Sequence, residues 1–181
     1  MGNVIDMRVG YLLDGFRMFI DHLKATEDLS NFTVVEIGSY IGQSTTMFAD
    51  AVKQVISVDP FMNDYDVNDG ACHAADIPTV VYQKFLENIS SHNNITHIRK
   101  TSDDAIDDLL GQQVDLIYID GIHTYEQVKK DIENYRKILK PGGLMCGHDY
   151  TDYWKGVVAA VDETLGKPNL VFIDGSWIVK L

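Results

Sequence analysis

The sequence predicts an α/β fold in which a mostly parallel sheet carries helices on both faces. Three observations predict it. Short apolar strand patterns alternate with helical patterns along the chain. The stretch Val34-Val35-Glu36-Ile37-Gly38-Ser39-Tyr40-Ile41-Gly42 runs from a buried-type strand through a glycine turn into a helix. The last two strand patterns are separated only by Asp174-Gly175, a hairpin signal that makes at least one strand antiparallel.

Each element has its own signal. Residues 7–29 read as one or two helices with Tyr11, Leu12, Phe16, Phe19, Ile20 and Leu23 on the apolar side, so residues 1–30 form a helical cover. A strand at 34–37 leads to a helix that begins near Gly42–Ser44 and runs through Val52. The strand Val55-Ile56-Ser57-Val58 ends on Asp59. Residues 60–78 are irregular, rich in Asp, Asn and Gly, and long enough to read as a substrate loop. A helix at 79–91 and a strand at 94–99 follow. Ser102 is the expected N-cap of a helix over 103–110, with Asp103 and Asp104 in its first turn. The strand 114–119 ends at Asp120-Gly121. A helix from about 124 to 139 stops at Lys140-Pro141-Gly142-Gly143. Leu144-Met145-Cys146-Gly147 returns as a central strand carrying His148-Asp149. A helix over 154–165 precedes strands at 169–173 and 176–180.

Composition narrows the function. With 181 residues, 45% hydrophobic and 23% charged, and with no Pro-, Gly- or Ser-rich linker, residues 1–181 read as a single domain. A net charge of −12 argues against a nucleic-acid partner, because neutralising phosphates takes clustered Lys and Arg. Two cysteines, Cys72 and Cys146, make no disulfide framework and fit a reducing compartment. The start has no basic leader, and no apolar run approaches the roughly 20 residues that span a bilayer. The expectation is a cytoplasmic protein without a membrane partner.

A glycine turn followed about twenty residues later by a strand-end carboxylate suits a nucleoside-binding unit. The glycines let the backbone approach a ligand, and Asp59 can accept hydrogen bonds from two ribose hydroxyls. Gly38 and Gly42, with no glycine between them, depart from the G-x-G-x-x-G of nicotinamide enzymes.

These motifs, with Tyr118-Ile119-Asp120-Gly121-Ile122-His123-Thr124-Tyr125-Glu126 and the run Leu139 to Tyr150, carry a resemblance. The chain resembles the class I S-adenosylmethionine-dependent methyltransferases, in particular their small-molecule O-methyltransferase branch, over about residues 33–160. The resemblance implies a seven-stranded sheet in the order 3-2-1-4-5-7-6 with strand seven antiparallel. It implies S-adenosylmethionine as cofactor, with Glu36, Gly38 and Gly42 flanking the methionine portion and Ser39, Tyr40 and Ser44 in the same binding turn. Asp59 then holds the ribose, Ser102 and Asp103 lie beside adenine, and Asp120 stands at the reacting end.

In a parallel sheet all strands point their C-terminal ends at one crevice, so Asp120 and His148-Asp149 should converge. Asp120, His148 and Asp149 are candidate ligands for an oxygen-preferring divalent cation such as Mg2+, which would acidify a substrate hydroxyl. The related metal-dependent enzymes carry an acidic or amide pair where His148-Asp149 stands, so this His is a departure. His123, Asp120 and His148 are the candidate catalytic residues, with His123 as general base. Tyr40, Tyr150, Tyr153 and Trp154 are candidates to shape a flat acceptor pocket. The expected function is transfer of a methyl group to a hydroxyl of a small molecule, a sugar or a phenol, by a chain that can form a homodimer. Two alternatives stay open at this point: a non-catalytic methyltransferase-like binding domain, and a nicotinamide-dependent oxidoreductase or epimerase.

Overall fold

Seven strands form one sheet in the order β3-β2-β1-β4-β5-β7-β6. The computed structural model describes residues 8–66, 68–70, 73 and 76–181. The first seven residues of the predicted helical cover, and Cys72 in the 60–78 loop, lie outside the described residues. Helix α1 (Tyr11–Thr26) precedes β1 (Thr33–Ile37), α2 (Gln43–Ala49) and β2 (Gln54–Val58). Helix α3 (Tyr82–Ile89) grows out of a wider turn at Ile77–Val81 and leads to β3 (Ile95–Ile98). Then come α4 (Ser102–Leu109), β4 (Val114–Ile119), α5 (Tyr125–Tyr135), β5 (Leu139–Gly147), α6 (Lys155–Leu165), β6 (Leu170–Val171) and β7 (Trp177–Lys180).

The ladders β1–β2, β1–β4, β2–β3 and β4–β5 are parallel, whereas β7 runs antiparallel to both β5 and β6. Successive buried residues go to opposite faces, as the two-residue strand period requires. Val34, Val55, Leu116, Tyr118, Leu144 and Cys146 pack with Phe16, Phe19, Leu23 and Phe48 of α1 and α2. Their neighbours Val35, Ile56, Ile117, Ile119 and Met145 pack with α4, α5 and α6 through Ala105, Leu109, Ile132, Tyr135 and Val161. No helix among the described residues is long and apolar enough to cross a membrane.

Two local expectations are corrected. The side chain of Thr101, one residue earlier than Ser102, accepts from the Asp104 N–H at 3.2 Å and caps α4, so Ser102 opens the helix. The 124–139 helix ends at Tyr135, followed by a tight turn over Arg136–Ile138. Lys140-Pro141-Gly142-Gly143 therefore lies inside β5 rather than before it. Leu139 pairs with Val114 and Leu144 with Leu116, so the run between them bulges from the ladder. Pro141 has no N–H to donate there, and Gly142 takes a φ of +79°.

Candidate functional site

Each strand tip is pinned by one more backbone bond to its neighbour, which brings the carboxyl ends level around a crevice. Gly38 donates to the Val58 carbonyl at 2.9 Å, Asp59 to Ile98 at 3.2 Å, Asp120 to Ile37 at 2.8 Å and His148 to Ile119 at 3.0 Å. The crevice opens where β1 has β2 on one side and β4 on the other, the reversal point of the strand order.

Two cavities lie along it. The first, about 290 Å³, is lined by Gly38, Ser39, Tyr40, Ser44, Asp59, Asp120, His123, His148 and Asp149, together with Arg8. The second, about 240 Å³, is lined by Asp59, Met62, Thr101, Ser102, Asp103, Gln127 and Asp131. They share Gly38, Asp59, Tyr65 and Gly121, so Asp59 stands at the junction.

The glycine turn wraps that carboxylate. Asp59 Oδ2 accepts from the Ser39 N–H at 2.8 Å and the Tyr40 N–H at 3.0 Å, and Oδ1 from the Phe61 N–H at 2.8 Å. Burial nevertheless holds its pKa above the ordinary value, opposed by those three bonds. Gly38 and Gly42 both have positive φ. Glu36 and Gly42, expected beside the methionine portion, line neither cavity. Glu36 lies beneath the turn, fully buried, where its Oε2 accepts from the Thr45 and Ser39 hydroxyls. Its Oε1 has no hydrogen-bond partner. Burial pushes Glu36 up to about 7, opposed by the hydroxyls around it.

In the second cavity Gln127 Nε2 donates to Ser102 Oγ at 3.2 Å, Asp103 Oδ1 at 3.4 Å and Asp131 Oδ1 at 3.0 Å. Burial raises Asp131 to about 6, with the Ser102 and Gln127 bonds opposing. Neither Gln127 nor Asp131 was singled out from the sequence. The signal was present: Val128, Asp131, Ile132 and Tyr135 share one buried face of α5, and a carboxylate on such a face is conspicuous.

At the far end of the first cavity the acidic and histidine side chains converge. His123 Nε2 stands 2.9 Å from Asp149 Oδ2, and His148 Nδ1 3.0 Å from the same oxygen. His148 Nδ1 is 3.8 Å from Asp120 Oδ1, and its Nε2 is 3.5 Å from Asp174 Oδ2. Burial opposes protonation of His148, but Asp120, Asp149 and Asp174 outweigh it and hold the imidazole up at about 10. His123 is likewise raised despite burial, chiefly by Asp149. Asp149, at φ +63°, is held far below the carboxylate range, because the two imidazoles outweigh its burial.

The sequence reading missed what faces Asp120. Arg8 Nη2 pairs with Asp120 Oδ2 and donates to the Tyr118 hydroxyl at 3.3 Å, while Nη1 lies 3.7 Å from Asp174 Oδ2. Asp174 comes from the β6–β7 hairpin and is tied down by the Ser176 N–H at 3.1 Å and hydroxyl at 2.8 Å. Arg8 had no local signal, and Asp174 read only as a turn residue. Asp120, His123 and Asp149 each offer a ligand atom within 4.8 Å of the others, whereas His148 is outside that group. Arg8 holds Asp120 Oδ2, while Asp120 Oδ1 lies 3.8 Å from His148 Nδ1.

The described part of the 60–78 loop folds over the same end. Asp66, buried, accepts from the His123 N–H at 3.0 Å, and Asp69 lines the first cavity. Trp154 lines it too, its ring stacked on His123 at 4.3 Å. Tyr150 turns away and donates to Asp162 at 2.8 Å, and Tyr153 is exposed against Trp154.

Known proteins share both sequence and fold with this chain. The family model described as "Methyltransferase domain" matches residues 35–150. A protein of Acanthamoeba polyphaga mimivirus, "Uncharacterized protein R132", is 30% identical over 140 residues, covering 74% of this chain and 58% of its own. The chain thus spans little more than half of that relative. Among solved structures, the O-methyltransferase NovP superposes with a TM-score of 0.69 at 16% identity, over 93% of this chain and 78% of its own. The calicheamicin methyltransferase CalS11 gives 0.65 at 17% identity, over 93% and 84%. At such identities the likeness is one of fold.

Proposed function

The chain belongs to the methyltransferase-domain family, and on that premise we propose that it transfers the methyl group of S-adenosylmethionine to a hydroxyl oxygen of a small acceptor. The observation that carries this reading is the pair of cavities meeting at Gly38, Asp59 and Gly121. One sets the apolar side chains of Ile37, Val58, Met62 and Ile122 beside polar groups that a nucleobase can bond. The other ends on an imidazole and carboxylates, the equipment for removing a hydroxyl proton.

The residues fit the cofactor. Gly38 lines both cavities and lets the turn pack against β4, where a Cβ would stand 2.0 Å from the Asp120 carbonyl oxygen. Asp59 keeps lone pairs for the ribose hydroxyls while its backbone bonds fix its plane. Ser102, Gln127 and Asp131 offer the adenine amino group acceptors, and Asp131 is well placed because burial disfavours its bare charge. Bound S-adenosylmethionine supplies an electrophilic sulfonium methyl.

The acceptor hydroxyl lies against Asp120 and His123. His123 takes its proton as the new C–O bond forms and the S–C bond breaks. Asp149 holds the His123 ring from Nε2, Asp66 anchors its backbone, and Trp154 fixes its plane. The loop that carries Asp66 and Asp69 supplies part of the acceptor wall. A divalent cation held by Asp120, His123 and Asp149 would serve as a Lewis acid, in competition with Arg8 for Asp120.

Calorimetric titration with S-adenosylhomocysteine tests the cofactor half. Mass spectrometry after incubation with S-adenosylmethionine and a panel of sugar and phenolic acceptors tests the transfer, read as a gain of one methylene. No binding of S-adenosylhomocysteine would remove the proposal.

A further inference from the structure

We propose that Arg8 is the resident cation of the acceptor site, occupying Asp120 where a divalent metal would sit, so that methyl transfer needs no metal. The inference rests on reading the Asp120–His123 end of the cavity as the place where the acceptor binds.

Arg8 is held from several elements. Its guanidinium pairs with Asp120 at the tip of β4, lies 4.4 Å over the Phe16 ring of α1, and faces Asp174 of the last hairpin. Its backbone N–H donates to Gln43 Oε1 at 3.0 Å, which ties the segment to the start of α2. Only 6% of the residue is exposed. A side chain this buried and this heavily contacted is built in, and a guanidinium keeps its charge throughout the accessible pH range.

The remaining metal-type donors are matched among themselves. His123 Nε2 and His148 Nδ1 both stand within hydrogen-bond reach of Asp149 Oδ2, and His148 Nε2 faces Asp174. A cation shared by Asp120, His123 and Asp149 would compete with Arg8 for Asp120 and with both imidazoles for Asp149. Arg8 also lines the first cavity, with Nη1 turned to Asp174 Oδ2 at 3.7 Å. A guanidinium in the cavity wall keeps positive charge near the acceptor oxygen as it loses its proton. Arg8 then sets a fixed positive charge beside an oxygen that becomes negative, the task a metal performs in related chemistry.

The test compares the wild type with Arg8→Met, which keeps volume without charge, and Arg8→Lys, which keeps charge. Manganese binding is read by electron paramagnetic resonance at equal metal and protein concentrations, turnover is read with and without EDTA, and folding is read by thermal denaturation. The wild type is expected to leave manganese free and to ignore EDTA. Arg8→Met is expected to lose about 10²–10³-fold in kcat, to bind manganese, and to recover activity with magnesium. Arg8→Lys is expected to stay metal-free and to keep more activity than Arg8→Met. Stoichiometric manganese binding by the wild type, or abolition of its turnover by EDTA, overturns the inference even if Arg8→Met does not fold. Absence of S-adenosylhomocysteine binding would instead remove the methyl-transfer reading, which the manganese measurement does not touch.

Discussion

Gly38 and Asp120 meet backbone to backbone at the centre of the crevice. A Cβ added to Gly38 would stand 2.0 Å from the Asp120 carbonyl oxygen and 3.0 Å from Gly121 Cα. The neighbour is main chain, itself hydrogen-bonded to Ile37 at 2.8 Å, so it has little freedom to withdraw. Gly38→Ala also forces a φ of +84° on a residue that disfavours it. Strain and overpacking together are expected to cost about 2–5 kcal/mol, measured by urea unfolding. S-adenosylhomocysteine affinity should fall as well, because Gly38 lines both cavities and a shift of the turn alters their walls.

Asp59 organises the same turn through three backbone N–H groups. Asp59→Ala leaves those donors without an acceptor, and a loss of about 2–4 kcal/mol is expected by thermal or chemical denaturation. Asp59→Asn keeps one acceptor oxygen and should fold better than Asp59→Ala. Calorimetry should still show its S-adenosylhomocysteine affinity reduced about 10–100-fold, the usual value of a charge-assisted bond or two.

His123 has to be neutral to accept a proton, and Asp149 holds its pKa above the ordinary 6.5 against the pull of burial. The acid limb of the kcat/KM profile is therefore expected above pH 6.5, with activity rising as pH rises through it. Asp149→Asn removes the main support and should move that limb to lower pH. His123→Gln should lower kcat by about 10²–10⁴ and abolish the limb. A wild-type profile flat from pH 6 upward would exclude His123 as the base.

Glu36 links stability to pH with a definite sign. Its folded pKa, about 7, lies above the ordinary 4.5 because burial favours the protonated form. The native state therefore binds more protons than the unfolded chain between those values. This contribution is fully present below pH 4.5 and is lost as pH rises through 7. At 1.36 kcal/mol per unit the loss is on the order of 3 kcal/mol. Glu36→Gln, neutral at every pH, should unfold at a higher denaturant concentration than the wild type at pH 8, and its stability should lose that slope.

Sheet and crevice were legible where a local pattern suffices. Val114–Ile119 is apolar at nearly every position because both faces are covered, and its bounds match the expectation. Asp59 and Asp120 stand where strand ends and a glycine turn had put them, and both line the first cavity. Local rules failed where two residues competed for one role. Thr101 and Ser102 are both good caps, and backbone geometry selects Thr101. Pro141 and the two glycines read as a helix stop, but pairing of Leu139 with Val114 had already drawn the chain into β5. Arg8 and Asp174 were illegible for a different reason. Their roles depend on one another and on Asp120, and sequence periodicity carries no information about an ion pair between distant segments.

Gly15 on α1 receives the hairpin tip so closely that a Cβ there would stand 2.5 Å from Asp174 Cβ. That contact joins an early segment of the chain to nearly its last. During synthesis the β4 and β5 tips would emerge with Asp120, His148 and Asp149 already in order, yet Arg8 would still lack one of its carboxylate neighbours until Asp174 left the ribosome. The reaction centre would thus be completed late, by the most sequence-distant contact it contains, and a nascent chain could acquire its hydrophobic layers well before it became competent.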